Sequence, residues 1–247
     1  MNIDKDKLFF NAGEIKDLPL IEQHLHTNFS DGDNSPREII NCAIEKKAWR
    51  VAFTEHVRKN SDWYKYFIKE IRELKEIYKD KLIILTGLEA KLINLDGEID
   101  ATEEQISQAE IPIGSVHAYC KEGPGNRFYE FEELEYKEAL EMDLKCTLKL
   151  IENAKNSGIK VIGHPFAVYL KYYSKSVPAE YMERIIKKMA ANDLAFDFNS
   201  HYLTDYFEII LKLCEKHGTK INIGSDVHKL EEFGEIYQIL KNKIFKK

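Results

Sequence analysis

The sequence predicts a single-domain α/β protein in which seven strand–helix units form a closed or nearly closed barrel. Short apolar runs rich in β-branched and aromatic residues alternate with amphipathic, charged segments, as is typical of parallel β/α units. Histidine-bearing clusters follow the ends of several of these runs, so parallel strands would bring the clusters to one rim of the barrel. The length of 247 residues fits one large domain spanning 1–247, and α/β barrels often reach that size.

The predicted elements follow one another in a regular order along the chain. Seven apolar runs are the candidate strands: 18–25, 51–54, 82–88, 111–116, 160–163, 194–198 and 220–224. Six amphipathic segments are the candidate helices: 37–47, 62–79, 132–156, 178–192, 204–216 and 231–243. Ser35 before Pro36 signals the start of the first helix, and Gly158 signals the end of the third. Asn94-Leu95-Asp96-Gly97 predicts a tight hairpin turn, and 120–131 a long loop of the functional or mobile kind.

Charge and composition exclude several broad classes of function. The net charge of −6 gives no long-range attraction for nucleic acid or for an anionic membrane. The longest apolar runs are far shorter than the roughly 20 residues that a membrane span needs. The four cysteines form no CxxC pair, and no signal peptide is visible, so reduced thiols in a cytoplasmic protein are expected.

Two residue pairs with the same spacing predict one shared metal site. His24 and His26 are two residues apart at the end of the first run, so their side chains project to the same side of a strand. Asp226 and His228 repeat this spacing after the last run. Each pair alone could be held by ordinary hydrogen bonds. In a closed barrel, however, the last strand lies beside the first, and two facing pairs favour metal ligation.

Further candidate ligands end other runs. Glu89 interrupts an apolar run, where an unpartnered buried carboxylate would be costly, although an ion pair with Lys91 is the alternative. His117 and His164 follow glycine-containing strand ends, and either alone could be an ordinary loop histidine. Asp31 alone would pass for a turn aspartate. Carboxylates and imidazoles together suit a cluster of several divalent ions.

The order of these groups resembles the polymerase and histidinol phosphatase family, called PHP. The family's opening pattern is intact as His24-Leu25-His26-Thr27-Asn28-Phe29-Ser30-Asp31-Gly32, and its closing pattern as Ser225-Asp226-Val227-His228. The intervening motifs are present in the correct order: Thr54-Glu55-His56, Gly87-Leu88-Glu89, Ser115-Val116-His117 and Gly163-His164-Pro165. The resemblance spans 24–228, which is nearly the whole chain.

The resemblance implies a (β/α)7 barrel, a distorted TIM-like fold, with three divalent ions at the carboxyl ends of the strands. The ions would be held, in turn, by His24, His26, Glu89 and Asp226; by Glu89, His117 and His164; and by Asp31, His56 and His228. The ligand types fit Zn, Fe or Mn. Some family members have His at the position of Asp31, and a carboxylate there favours Mn or Fe over Zn at that ion.

The implied chemistry is hydrolysis of a phosphoester. Closely spaced divalent ions can generate a nucleophile from water at neutral pH, and Asp226 or His228 would supply the proton to the leaving alcohol. Arg127, in the loop after His117, is the candidate phosphate clamp, with a solvated loop arginine as the alternative. His201, at the end of the sixth run, is a second candidate substrate contact.

Three functions are consistent with these residues. The first is a phosphatase acting on a small phosphorylated substrate, with histidinol phosphate as the leading candidate, because a stand-alone barrel retains every ligand. The second is a nuclease, against which the acidic balance and the lack of a basic, aromatic groove both weigh. The third is a non-catalytic barrel. Such modules commonly lose ligands, whereas this chain retains every one. No membrane partner is expected, and the sequence leaves the oligomeric state open.

Overall fold

Seven parallel strands form a single sheet that follows the order of the chain. The protein is represented by a computed structural model that describes residues 3–123 and 125–244. The strands are β1 (Ile21–Glu22), β2 (Arg50–Val57), β3 (Ile83–Lys91), β4 (Ile111–Ser115), β5 (Val161–Gly163), β6 (Ala195–Asn199) and β7 (Lys220–Gly224). Every adjacent pair from β1–β2 to β6–β7 is parallel. The predicted α/β fold with seven strands is therefore confirmed.

Helices surround the sheet and connect its strands. They are α1 (Pro36–Glu45), α2 (Tyr64–Tyr78), α3 (Glu103–Ser107), α4 (Tyr136–Ser157), α5 (Ala167–Tyr173), α6 (Ala179–Ala191), α7 (Ser200–Leu203), α8 (Phe207–His217) and α9 (Glu235–Ile239). The six expected helices correspond to α1, α2, α4, α6, α8 and α9, the last of which continues into a π-helical turn at Leu240–Ile244. Helices α3, α5 and α7 were not expected, because segments of four to seven residues are too short to show helical periodicity.

The predicted boundary signals have the expected geometry. Ser35 accepts a hydrogen bond from the Glu38 backbone N–H at the start of α1, and Gly158 ends α4 in the left-handed conformation. The hairpin after β3 is also present, with Gly97 at φ 84° and an antiparallel bridge between Leu92 and Ile99. Pro124, in the expected loop 120–131, lies outside the described residues.

The barrel closes where the first strand meets the last. Beyond β1, Gln23 donates its backbone N–H to Ile223 at 2.8 Å, and His26 donates to Val227 at 2.8 Å. Val227 in turn donates to His24 at 3.1 Å. This exchange places the segment after β1 directly beside the segment after β7, as the sequence predicted.

The two segments approach so closely at Gly224 that no side chain fits there. A Cβ on Gly224 would lie 2.5 Å from the backbone nitrogen of His24. We expect Gly224→Ala to destabilise the protein by about 1–3 kcal/mol, because backbone must move to relieve the overlap. Thermal unfolding measures this, with Gly13→Ala as the control, since a Cβ on Gly13 meets no atom within 4 Å. Equal midpoints for the two variants would contradict the tight closure.

A buried arginine lies at the opposite end of the barrel. Arg50, at the start of β2, donates hydrogen bonds to the backbone oxygens of Lys5 and Lys7, both at 2.7 Å, and to Gln23 Oε1 at 3.2 Å. These bonds hold the amino-terminal segment across the amino-terminal ends of the strands. The carboxyl ends therefore form the rim at which a site can open.

Among the helices of the described residues, none combines the length and apolar character needed to cross a membrane.

Candidate metal centre

One buried carboxylate is surrounded by histidines from four strand ends. Glu89, near the end of β3, is 1% exposed. Its two oxygens face five imidazoles at 3.0–3.5 Å: Oε2 faces His24, His26 and His56, and Oε1 faces His117 and His164. Ser115 also donates its hydroxyl to Oε1. Glu89 can therefore contribute one oxygen to each of two adjacent ions.

Two further carboxylates complete the ring of candidate ligands. Asp226 Oδ1 lies 3.5 Å from His24 Nε2 and 3.3 Å from His26 Nε2. Asp31 Oδ2 lies 3.3 Å from His56 Nε2, and Asp31 Oδ1 lies 3.5 Å from His228 Nε2. The structure thus brings together all nine residues expected as ligands: His24, His26, Asp31, His56, Glu89, His117, His164, Asp226 and His228.

The polar atoms of these residues have the environment that a divalent ion would satisfy. His24 Nε2, both ring nitrogens of His26, and Glu89 Oε2 are fully buried without a hydrogen-bond partner. Such orphaned buried groups are costly unless something else coordinates them. Imidazole and carboxylate donors suit Zn, Fe and Mn. The residues therefore fit a centre of several divalent ions.

The electrostatics couple the protonation states of the candidate ligands. Despite their burial, the neighbouring carboxylates raise the pKa of His24, that of His56 to about 10 and that of His228 to about 9, so these rings would lose a proton when an ion binds. Burial opposes the ionisation of Glu89 and Asp226, but the surrounding histidines hold the pKa of each carboxyl group well below its ordinary value. Burial and the neighbouring His56 lower the pKa of His26 to about 4. A neutral imidazole beside ionised carboxylates can bind an ion without first losing a proton.

Asp197 supports the centre from beneath, and the sequence analysis missed it. This fully buried carboxylate on β6 accepts a hydrogen bond from His24 Nδ1 at 2.8 Å and from the His164 backbone N–H at 3.2 Å. Its other oxygen accepts from Asn222 at 3.0 Å. Because His24 donates through Nδ1, its Nε2 is left free to face Glu89 and Asp226. The signal in the sequence was an aspartate inside an otherwise apolar run.

Two buried glutamates hold the segments that carry the aspartate ligands. Glu55 accepts from the Thr27 backbone at 2.9 Å and from the Ser30 hydroxyl at 2.5 Å, which fixes the turn before Asp31. Glu22 accepts from the Ser225 hydroxyl at 2.7 Å and from the Gly234 backbone at 3.1 Å. Burial raises the pKa of Glu22 to about 8. These bonds fix the backbone just after the His24–His26 pair and just before the Asp226–His228 pair.

A cavity of about 230 Å³ opens above the centre. Its walls are His56, Val116, His117, His164, Ala167, Val168, Lys171, Tyr172, Tyr202, Asp226 and His228. Five of the candidate ligands thus face a space that a small molecule can enter. Lys171 and Tyr202 were not singled out from the sequence, because they lie on the short helices α5 and α7.

The two expected substrate contacts lie elsewhere. Arg127 is exposed, and its guanidinium donates to the backbone oxygen of Glu122, in its own loop, at 2.6 Å. His201 is exposed on α7, where its backbone N–H bonds to Asn199 Oδ1 at 2.7 Å. Neither is among the residues that line the cavity. The structure does not bring them to the candidate ligands.

Residues 22–201 match the PHP domain family, which covers well over half of the chain. The chain belongs to the PHP family. The matched range includes seven of the nine candidate ligands, and Asp226 and His228 follow it. The membership confirms the resemblance seen in the order of the motifs and shows that this PHP protein is a metal-dependent phosphatase.

Relatives and solved structures agree with this assignment. A probable phosphatase of Caldicellulosiruptor saccharolyticus is 28% identical over 211 residues, which cover 84% of this chain and 80% of the relative. The histidinol phosphate phosphatase of Lactococcus lactis, solved with zinc, L-histidinol and phosphate, has a TM-score of 0.69 at 23% identity and covers 91% of this chain and 93% of its own. A putative histidinol phosphatase of Listeria monocytogenes has a TM-score of 0.68 at 18% identity, covering 88% and 98%. Both structures share the fold of this PHP protein.

Proposed function

We propose that this PHP protein hydrolyses a small phosphomonoester and that histidinol phosphate is its substrate. The convergence of nine metal-competent side chains at the floor of a small cavity carries the proposal. A cavity of about 230 Å³ lies below the roughly 300–1,000 Å³ of typical ligand pockets, which favours a metabolite over a polymer. The proposal of histidinol phosphate is supported by the two histidinol phosphatases that share the fold.

We propose that three groups of ligands hold three ions, each Zn, Fe or Mn. Two of the groups share Glu89, and the third lies beside it. When bound, such ions polarise the phosphoester and lower the pKa of water, which supplies the nucleophile. Glu89 Oε2 would serve the group of His24, His26 and Asp226, and Glu89 Oε1 the group of His117 and His164. Asp31, His56 and His228 would hold the third ion, which sits closest to solvent because Asp31 is more than half exposed.

We propose that Asp226 or His228, where an ion does not fully occupy it, also delivers the proton that the leaving alcohol needs. Both residues line the cavity. His228 Nδ1 donates to the Asp226 backbone oxygen at 2.9 Å, which orients the ring and turns Nε2 toward Asp31 and the cavity. When the third ion does not occupy this nitrogen, a proton on it would face the cavity that the alcohol must leave.

A phosphatase screen on protein of defined metal content tests the function. We expect Mn-, Fe- or Zn-loaded protein to release phosphate from histidinol phosphate, and a chelator followed by dialysis to abolish the release. Release from other small phosphomonoesters, but not from histidinol phosphate, would overturn the substrate and keep the reaction. Metal-dependent shortening of a labelled oligonucleotide, with no phosphate release from any monoester, would identify a nuclease instead.

A further inference from the structure

Helix α5 presents one face to the cavity and another to the protein interior. Ala167, Val168, Lys171 and Tyr172 recur at the i, i+1, i+4 and i+5 positions, which lie on one side of a helix, and all four line the cavity. The helix itself was not expected from the sequence.

The opposite face of α5 is firmly anchored. Tyr169 is 1% exposed and stacks on Tyr173, with ring centres 5.6 Å apart. The Tyr173 hydroxyl donates to the Leu134 backbone oxygen at 3.1 Å. The buried carboxylate of Asp143, on α4, accepts backbone hydrogen bonds from Phe166 and Tyr169 at the start of the helix. These contacts fix the helix, so its cavity face has a defined position above the centre.

Lys171 brings a positive charge to this wall. Its Nζ lies 5.5 Å from the centre of the Tyr172 ring, a distance at which the ring attracts an ammonium group. Tyr202, on α7, lines the same cavity; burial raises the pKa of its hydroxyl, on which the charges of Lys171 and Asp226 both act. Lys171, Tyr202 and the candidate ligand Asp226 therefore line the same cavity.

We propose that Lys171 binds the phosphate group of the substrate. Among the cavity-lining residues that the structure describes, Lys171 is the one lysine or arginine. The three carboxylates of the centre already neutralise part of the positive charge of the ions, so a substrate phosphate would keep part of its negative charge. An ammonium group on the cavity wall can then donate a charge-assisted hydrogen bond to a free phosphate oxygen. Lys171 thereby takes the place that Arg127 was expected to fill. The inference rests on the proposed phosphomonoesterase function.

Binding of inorganic phosphate to the metal-loaded protein tests this role directly. We expect Lys171→Met to weaken phosphate binding, measured by calorimetry, by roughly tenfold, as for one partly exposed charge-assisted hydrogen bond. Lys171→Arg should restore most of the affinity. Lys175→Met is the matched control, because Lys175 is an exposed lysine just beyond the end of α5 that does not line the cavity. Metal content and the unfolding midpoint should be equal in all variants.

Kinetics provide the second readout. With the substrate found in the phosphatase screen, Lys171→Met should raise KM about tenfold and change kcat much less, as expected when binding to substrate and transition state is lost together.

If wild-type protein releases phosphate while Lys171→Met keeps the wild-type KM and phosphate affinity, the proposed role of Lys171 is overturned and the phosphatase proposal stands. If metal-loaded wild-type protein neither binds phosphate nor releases it from any monoester, both proposals fall. If it binds phosphate through Lys171 but cleaves no monoester, the phosphatase proposal alone falls.

Discussion

Glu89→Gln is expected to remove most of the bound metal and to lower phosphate release by more than about a hundredfold. Changes to residues that only support metal ligands already cost roughly 10- to 100-fold in affinity or activity. Glu89 faces five histidines with both of its oxygens, so it serves two groups of candidate ligands at once. An amide keeps the size of the side chain but loses the charge and one of the two metal-binding oxygens.

Metal analysis of the purified variant by mass spectrometry measures the first effect, and steady-state phosphate release the second. Glu73→Gln is the control, because Glu73 lies on α2 and its side chain is mostly exposed, paired loosely with Lys69 at 3.8 Å. A Glu89→Gln protein that retains the full metal content of the wild type would show that Glu89 is not shared between ions.

Asp197→Asn is expected to lower metal affinity by roughly 10- to 100-fold while the fold persists. The carboxylate holds a proton on His24 Nδ1 and also accepts from the His164 backbone, so it orients ligands of two different groups. Asparagine is nearly the same size. It lacks the charge that favours this tautomer of His24, and its amide can instead donate to the ring and turn the wrong nitrogen toward the ion.

Competition with a chromophoric chelator measures the affinity, and circular dichroism checks the fold. Asp193→Asn is the matched control, because Asp193 is an exposed aspartate in the turn before the same strand and its φ of 54° is one that asparagine accepts. Wild-type affinity in Asp197→Asn would mean that the Nδ1 contact does not control His24, and equal losses in both variants would point to a general effect of the charge.

The sequence predicted which side chains would meet, because most of the candidate ligands follow an apolar run and parallel strands bring the ends of such runs together. The supporting residues were harder to predict. Asp197 lies within a run that reads as an ordinary buried strand, and only the cost of an unpartnered buried carboxylate sets it apart. The His24 ring that it orients is 173 residues away, a separation that no local pattern reveals.

Substrate contacts were predicted least well, for a different physical reason. Arg127 follows the ligand His117 closely in sequence, but the loop folds back on itself through a bridge between Cys120 and Phe128. The guanidinium then bonds within its own loop. Lys171 reaches the cavity on a helix of seven residues, which is fixed by tertiary contacts rather than by its own periodicity. Proximity in sequence is therefore a poor guide to which cation lines the cavity.

The closure of the barrel between β1 and β7 has a consequence for folding. His24 and His26 follow the first strand of the sheet and Asp226 follows the last, so an ion held by all three would join segments from opposite ends of the sequence. Such an ion would act as a cross-link over a very long loop, whose closure otherwise costs conformational entropy. Since the unfolded chain lacks this arrangement, metal binding would be thermodynamically coupled to the docking of the last strand against the first. The newly made chain could then capture this ion only after its final strand had been synthesised.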